Sequence, residues 1–540
     1  MTTQTKNMRY FFLFCFLPNL LWSQNAVTPS MDFQLTALND PVPFAQTITK
    51  EDMKKILTAL AADDMEGRET GTPGNTKAAN YIAEQLRQIG IPPLKKLDGY
   101  FQPIAFTSEI WEDISLSVAN KPYRHLWDYY AFPKLNTNRP DLAKLGEVVF
   151  LGYGIESDNY NDYKGKDVRG KTILIYDGEP MRGKTSYITN SEEVSDWTTD
   201  RTKKLMAAHK NGVKTVLIID GKLKKNLGEL RRELLDGRMK MGDTENTAEK
   251  YANHLYISTE IAKDIIGKKN KKFVKARKKI AKKGKPKSVA LPTDIALKQN
   301  KKINQLLGNN ILGFIEGTDP VLKKEIVVVS AHYDHVGMRG NAVYNGADDN
   351  GSGSTGILEI AQAFQEAKKQ GVGPRRSVLM IWMTGEEKGL LGSEYYSEFP
   401  IFPLENTIAN INVDMIGRVH SKYKDNPNYI YVIGADRLST ELHKINEAAN
   451  DTYTNLVLDY TYNDKNDPNR FYYRSDHYNF AKKGIPAVFY FNGTHADYHR
   501  VSDTIEKINF DKMEKIGRLI FHTAWELANR EKRIMVDVVE

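Results

Sequence analysis

Cysteine is all but absent from this chain: Cys15 is the single one in 540 residues. It lies in a segment expected to be removed, so structural disulfides, a cysteine nucleophile and a thiolate zinc cage are excluded. Long apolar runs are missing too, and no stretch approaches the ~20 residues that a spanning helix needs. A Gly-x-Ser-x-Gly elbow, a His-Glu-x-x-His helix and a P-loop are also lacking, which removes three common routes to hydrolysis and phosphate binding. The chain does hold 41% hydrophobic and 27% charged residues. That is a globular balance with ample material for a core.

Lys6 and Arg9 precede an apolar run from Tyr10 to Trp22, and the small Ser23 follows. This reads as a secretory signal over residues 1–24, and the interruption by Pro18 and Asn19 argues against a permanent anchor. The protein is therefore expected to be exported, periplasmic or extracellular, with no transmembrane anchor.

The net charge of +8 is local. Eleven lysines and Arg277 fall between Lys268 and Lys287 without one acid, and removing those twelve charges leaves −4. The segment reads as a solvated basic helix or connector. No nucleic-acid fold motif accompanies it, and no nucleic-acid partner is expected.

Thr49 is placed to cap a helix that carries Met53, Ile56, Leu57 and Leu60 at helical spacing. A second helix near Thr76–Ile89 follows a glycine-rich turn, with Gly90 as its C-cap. From about Phe106 short β-rich runs appear: Glu147–Leu151, Thr172–Tyr176, Thr215–Ile219 and His254–Ile257. Beyond the lysines, strands and helices alternate. Strands are expected at Ile311–Ile315, Ile326–Ser330, Ser377–Met383, Ile408–Val413, Tyr429–Ile433 and Ala487–Phe491. Helices are expected at Ser354–Lys368, Leu391–Ser397, Thr440–Asn450 and Lys512–Asn529. This alternation predicts an α/β class, a mixed and largely parallel sheet flanked by helices.

Polar residues gather at the strand ends. Ile326–Ser330 runs into Ala331-His332-Tyr333-Asp334-His335, Ser377–Met383 into Thr384-Gly385-Glu386-Glu387, and Ile408–Val413 into Asp414. Gly346-Ala347-Asp348-Asp349-Asn350-Gly351 opens a helix, and Tyr498-His499-Arg500-Val501-Ser502-Asp503-Thr504 follows the last strand. Ligands of open α/β sheets bind at those carboxyl ends. Histidine and carboxylate without cysteine suit zinc or a similar divalent ion. His332 and Asp334 point to one side of an extended chain, so Asp334 can hold the far ring nitrogen. Adjacent Glu386 and Glu387 point apart, which lets one bind metal while the other holds a water.

In order, SAHYDHVG, GADDNGSG, TGEEKGLLGS, NVDMIG, SDHYNF and YHRVSDT resemble the aminopeptidase, glutamate carboxypeptidase and transferrin receptor superfamily of co-catalytic zinc exopeptidases. GEVVFLGYGI and NDYKGKDVRGKTILIYDGEP are similar to the protease-associated domain inserted in bacterial members. The resemblance implies two zinc ions: one on His332 and Asp414, the other on Glu387 and His499, with Asp349 bridging. It implies Glu386 as general base and Asp334 as the residue orienting His332. His499 is preferred over its neighbour His495, and His335 and His477 are expected to be local hydrogen-bonding residues. The implied organisation is a signal (1–24), the first part of the peptidase domain (25–105), an inserted β-rich protease-associated domain (106–266), a basic connector (267–290) and the main part (291–540). Peptides are the implied substrates, cleaved from the N-terminus. A carboxypeptidase or dipeptidase drawing on Arg418 and Arg470 is the alternative, ahead of a glutaminyl cyclase or a metal-free receptor-like scaffold.

Overall fold

The computed structural model describes residues 33–236, 239–242 and 247–539, and the expected signal segment lies outside them. Thr49 accepts the Asp52 N–H at the start of helix Lys50–Leu60. Thr72 does the same for Asn75 ahead of helix Pro73–Ile89, which begins with a proline that lacks the N–H anyway and ends on left-handed Gly90.

At the centre strand Ile326–His332 lies between Ser377–Met383 and Thr407–Val413, parallel to both. Thr407–Val413 pairs in parallel with Ala487–Phe491, which runs antiparallel to Tyr429–Ile433. All seven residues of each of the three central strands are buried, as continuous apolar strands covered on both faces should be. Helices Gly353–Lys369 and Phe510–Asn529 cover one face together, with the Phe364 and Phe521 rings 4.9 Å apart.

The expected strand at Ile311–Ile315 is the end of a much longer one, Ser288–Ile315. It pairs antiparallel with Phe101–Val118 from Ile295 to Ile311, with Ser377–Met383 at its last residues and with Arg139–Leu151 in its first half. This ribbon makes one continuous sheet of the central strands and a second group, Arg139–Leu151, Thr172–Tyr176, Thr215–Ile219 and Asn253–Ile257, parallel to one another. Helices Arg201–Lys210, Leu223–Asp236 and Thr259–Ile266 accompany that group. Within the lysine-rich segment, helix Asn270–Lys283 buries Phe273, Ala276 and Ile280 and exposes all seven of its lysines. Among the described residues no helix is long and apolar enough to cross a membrane.

Candidate metal centre

Five separate stretches meet at the carboxyl ends of the central strands. His332 closes its strand, and Asp334 and His335 follow within three residues. Glu386 and Glu387 lie on the turn after Ser377–Met383, and Asp414 is the first residue past Thr407–Val413. Asp349 comes from the kinked turn that opens helix Gly353–Lys369, and His499 from the loop after Ala487–Phe491.

The donor atoms form two adjoining groups. His332, Glu386 and Asp414 offer atoms within 4.8 Å of one another, and so do His335, Asp349, Glu387 and His499. His332 Nε2 is 3.3 Å from Asp414 Oδ1 and 3.9 Å from Glu386 Oε2. In the second group His499 Nε2 is 2.9 Å from Glu387 Oε1 and 3.0 Å from Asp349 Oδ2. Asp349 faces both: its Oδ1 is 3.6 Å from His332 Nε2, while Oδ2 looks at His499.

Supporting contacts fix these side chains. The Asp348 and Asp349 N–H groups both donate to Asp503 Oδ2, at 3.1 and 3.2 Å. The Ser475 hydroxyl donates to Asp414 Oδ2 at 2.8 Å. Asp334 accepts the Thr70 hydroxyl at 2.7 Å and the Glu386 N–H at 3.2 Å. Its carboxylate is thereby occupied: His332 Nδ1 sits 3.7 Å from Oδ1 but 3.1 Å from the Asp334 main-chain oxygen. The carbonyl, more than the carboxylate, holds the ring.

The two rivals for the loop after the last strand are separated in space. His499 is in the cluster, whereas His495 reaches Asp348 Oδ2 at 3.2 Å. His477 is buried against Phe489 with ring centroids 4.8 Å apart. His335 was expected to serve locally, yet it joins the second group, with Nδ1 3.1 Å from Glu387 Oε1. Arg68 went unnoticed in the sequence. It is 1% exposed and donates to the carbonyls of Tyr333, Leu60, Asn345 and Gly346 at 2.6–2.8 Å.

The electrostatics call for cations. Asp334, Asp349 and Asp414 are buried, and the Glu386 and Glu387 side chains are only 10% and 5% exposed. Burial, aided by the Asp414 and Glu387 charges, pushes Glu386 well above the usual carboxylate range, with His332 opposing. Burial disfavours a charged His332, but Glu386 and Asp414 outweigh it and hold the imidazole well above its ordinary value. His499 goes up to about 10, against burial, through Asp349 and Glu387. The carboxylates thus recruit whatever positive charge the protein offers. Asp414 Oδ1 and Asp349 Oδ2 make no well-formed hydrogen bond although imidazole nitrogens face them at 3.3 and 3.0 Å. Divalent ions displacing ring protons fit this donor set, since bound histidine must be neutral and carboxylate ionised.

Beside the two groups a cleft is walled by Met415, Phe471, Phe489, Phe491 and Tyr498, with Thr494 and Arg474 adding polar atoms. Arg418 is engaged elsewhere, 2.7 Å from Asp497 and 3.5 Å from Asp503. Arg470 lies over the Tyr473 ring.

Residues 310–524 match the family model of Peptidase family M28. A probable leucine aminopeptidase of Trichophyton verrucosum (strain HKI 0517) is 31% identical over 236 residues, 43% of this chain and 62% of that protein. Aminopeptidase YwaD of Bacillus subtilis (strain 168) is 27% identical over 240 residues, 43% of this chain and 48% of its own. The chain therefore spans less than two thirds of the length of these relatives. In fold, an aminopeptidase from Aneurinibacillus sp. strain AM-1 is similar with a TM-score of 0.55 at 20% identity, over 93% of this chain and 99% of that one. The likeness to peptidase family M28 thus spans residues 310–524, the part of the chain that carries His332, Asp349, Glu386, Glu387, Asp414 and His499.

Proposed function

We propose that this protein is an exported zinc aminopeptidase that hydrolyses N-terminal residues from peptides. The observation that carries the reading is Asp349, whose two oxygens face two separate donor groups. In this reading His332 and Asp414 hold one ion, Glu387 and His499 the other, and Asp349 bridges. Such a pair, when bound, polarises the scissile carbonyl and makes water a competent nucleophile at neutral pH.

The protein's own groups do the rest. Glu386 takes the proton of the attacking water and passes it to the leaving amine. Its raised proton affinity, a consequence of burial beside Asp414 and Glu387, suits a group that must accept and then release a proton. Thr70 and the Glu386 N–H pin Asp334, and Asp334 in turn fixes the His332 ring through its carbonyl. The apolar wall of Met415, Phe471, Phe489 and Phe491 suits an aliphatic or aromatic first side chain, in keeping with relatives named leucine aminopeptidase. Residues 1–24 are read as the export signal and 106–266 as an inserted protease-associated domain.

One observation favours a second reading. Arg474 lines the cleft, where it suits a substrate carboxylate, as in a carboxypeptidase or dipeptidase. Dipeptides blocked at one end separate the two. An aminopeptidase cleaves the C-blocked peptide and spares the N-blocked one. Cleavage of the N-blocked peptide alone overturns the reading.

A further inference from the structure

His335 is the imidazole to which the resemblance gives no task. Its side chain is fully buried. Its own N–H donates to Arg68 O at 3.3 Å. Across the ring lies Gly346, at φ +55°, where an added Cβ would come within 2.5 Å of the imidazole. The His335 main chain is thus tied to Arg68, and its ring packs against the Gly346 backbone. Neither ring nitrogen makes a hydrogen bond of normal geometry. Nδ1 nevertheless points at the second donor group, 3.1 Å from Glu387 Oε1 and 3.7 Å from Asp349 Oδ2. The ring centroid is 5.6 Å from that of His499, edge to face. All four donors lie within 4.8 Å of one another, which is the spread of atoms sharing an ion whose bonds are ~2.0–2.2 Å long.

Resting on the two-metal reading, we propose that His335 is a fourth protein donor to the ion held by Asp349, Glu387 and His499. The two sites are then unequal. The site with His335 has its tetrahedral complement filled by protein, as in sites that hold zinc firmly. The site of His332 and Asp414, sharing Asp349, has three protein donors and keeps a position open for water and substrate. A rival role is a positioning one, in which His335 merely donates a hydrogen bond to Glu387.

The test reads metal, not turnover. In the zinc-loaded full chain, X-ray absorption at the zinc edge should count three imidazoles for two ions, against two for two if His335 is not a ligand. His335→Ala should weaken one ion by more than the ~10–100-fold that loss of an outer-shell partner costs, and leave the other unchanged in chelator competition. His335→Asn retains a hydrogen-bond donor and should lose the same ion. In cobalt-substituted protein both variants should show weaker visible bands, because the tetrahedral four-donor site loses its ion. Two imidazoles for two ions, or wild-type affinity and spectrum in His335→Asn, overturns the proposal. Wild-type protein that holds fewer than two ions refutes the two-metal reading itself, so the two failures are distinct.

Discussion

Arg68→Met should be among the most damaging substitutions in this protein, although Arg68 donates to main-chain carbonyls and not to the side chains of the metal centre. Its guanidinium spans four carbonyls, those of Tyr333, Leu60, Asn345 and Gly346. One of these, that of Tyr333, lies between His332 and Asp334, and two, those of Asn345 and Gly346, lead into the turn carrying Asp349. Methionine fills much of the volume and donates nothing. Each buried acceptor left unsatisfied costs roughly 1–3 kcal/mol, and part of that returns because a buried charge no longer has to be desolvated. Burial already pulls Arg68 down to about 10, opposed by Asp349, Asp503, Asp334 and Glu387, so it is charged at neutral pH. Losing it also removes a cation from among buried carboxylates. A net loss of about 3–5 kcal/mol follows, a large share of the 5–15 kcal/mol typical of a folded protein. Urea unfolding followed by tryptophan fluorescence, at fixed zinc concentration, measures it. Arg68→Lys, with a compact ammonium in place of the fork, should recover only part. A methionine variant within ~1 kcal/mol of wild type would refute the reasoning.

Other expectations are more local. Glu386→Gln should keep its metal and lose ~10²–10⁴-fold in turnover; near-normal turnover removes Glu386 from proton transfer. Gly346→Ala forces a Cβ to 2.3 Å from Asp349 O and 2.5 Å from the His335 ring at φ +55°. It should cost about 2–4 kcal/mol from crowding and backbone strain, measurable by the same unfolding assay, and a neutral effect would contradict the packing. Glu359 is buried, accepts the Thr49 N–H at 3.3 Å and has its carboxyl pushed up to about 8 by burial. The folded state then keeps a proton that the unfolded chain releases from its ordinary carboxyl value upward. Stability should fall as pH rises from there to about 8, by up to ~1.4 kcal/mol per unit. Glu359→Gln should flatten that slope, and an unchanged slope would show that Glu359 is not its source.

Much of the centre was legible because its chemistry is written in short runs at strand ends. His332, Glu386, Glu387 and Asp414 end or closely follow buried strands, Asp349 opens helix Gly353–Lys369 and His499 lies on the loop after the last strand, and the observed strands Ser377–Met383, Tyr429–Ile433 and Ala487–Phe491 coincide with the expected ones. His335 was not legible as a donor, since three residues past His332 on an irregular turn its direction depends on Gly346 and Arg68, which are distant in sequence. Arg68 lacks any motif, and only the carbonyls that close around it reveal its task. The ribbon of Phe101–Val118 and Ser288–Ile315 hid for another reason. Much of its length is half-exposed and carries lysine, glutamate and proline, so no apolar run marks it, and its strand character comes from mutual pairing. The lysine helix is opposite in kind: its three buried residues, Phe273, Ala276 and Ile280, were outnumbered by charges in the sequence.

Anomalous diffraction at the zinc edge on crystals of the wild-type protein bears on all of this at once. Two peaks are expected ~3.5–4 Å apart, one beside His332 and Asp414 and the other beside Glu387 and His499, with Asp349 between them. A single peak, or peaks away from these side chains, would contradict that arrangement.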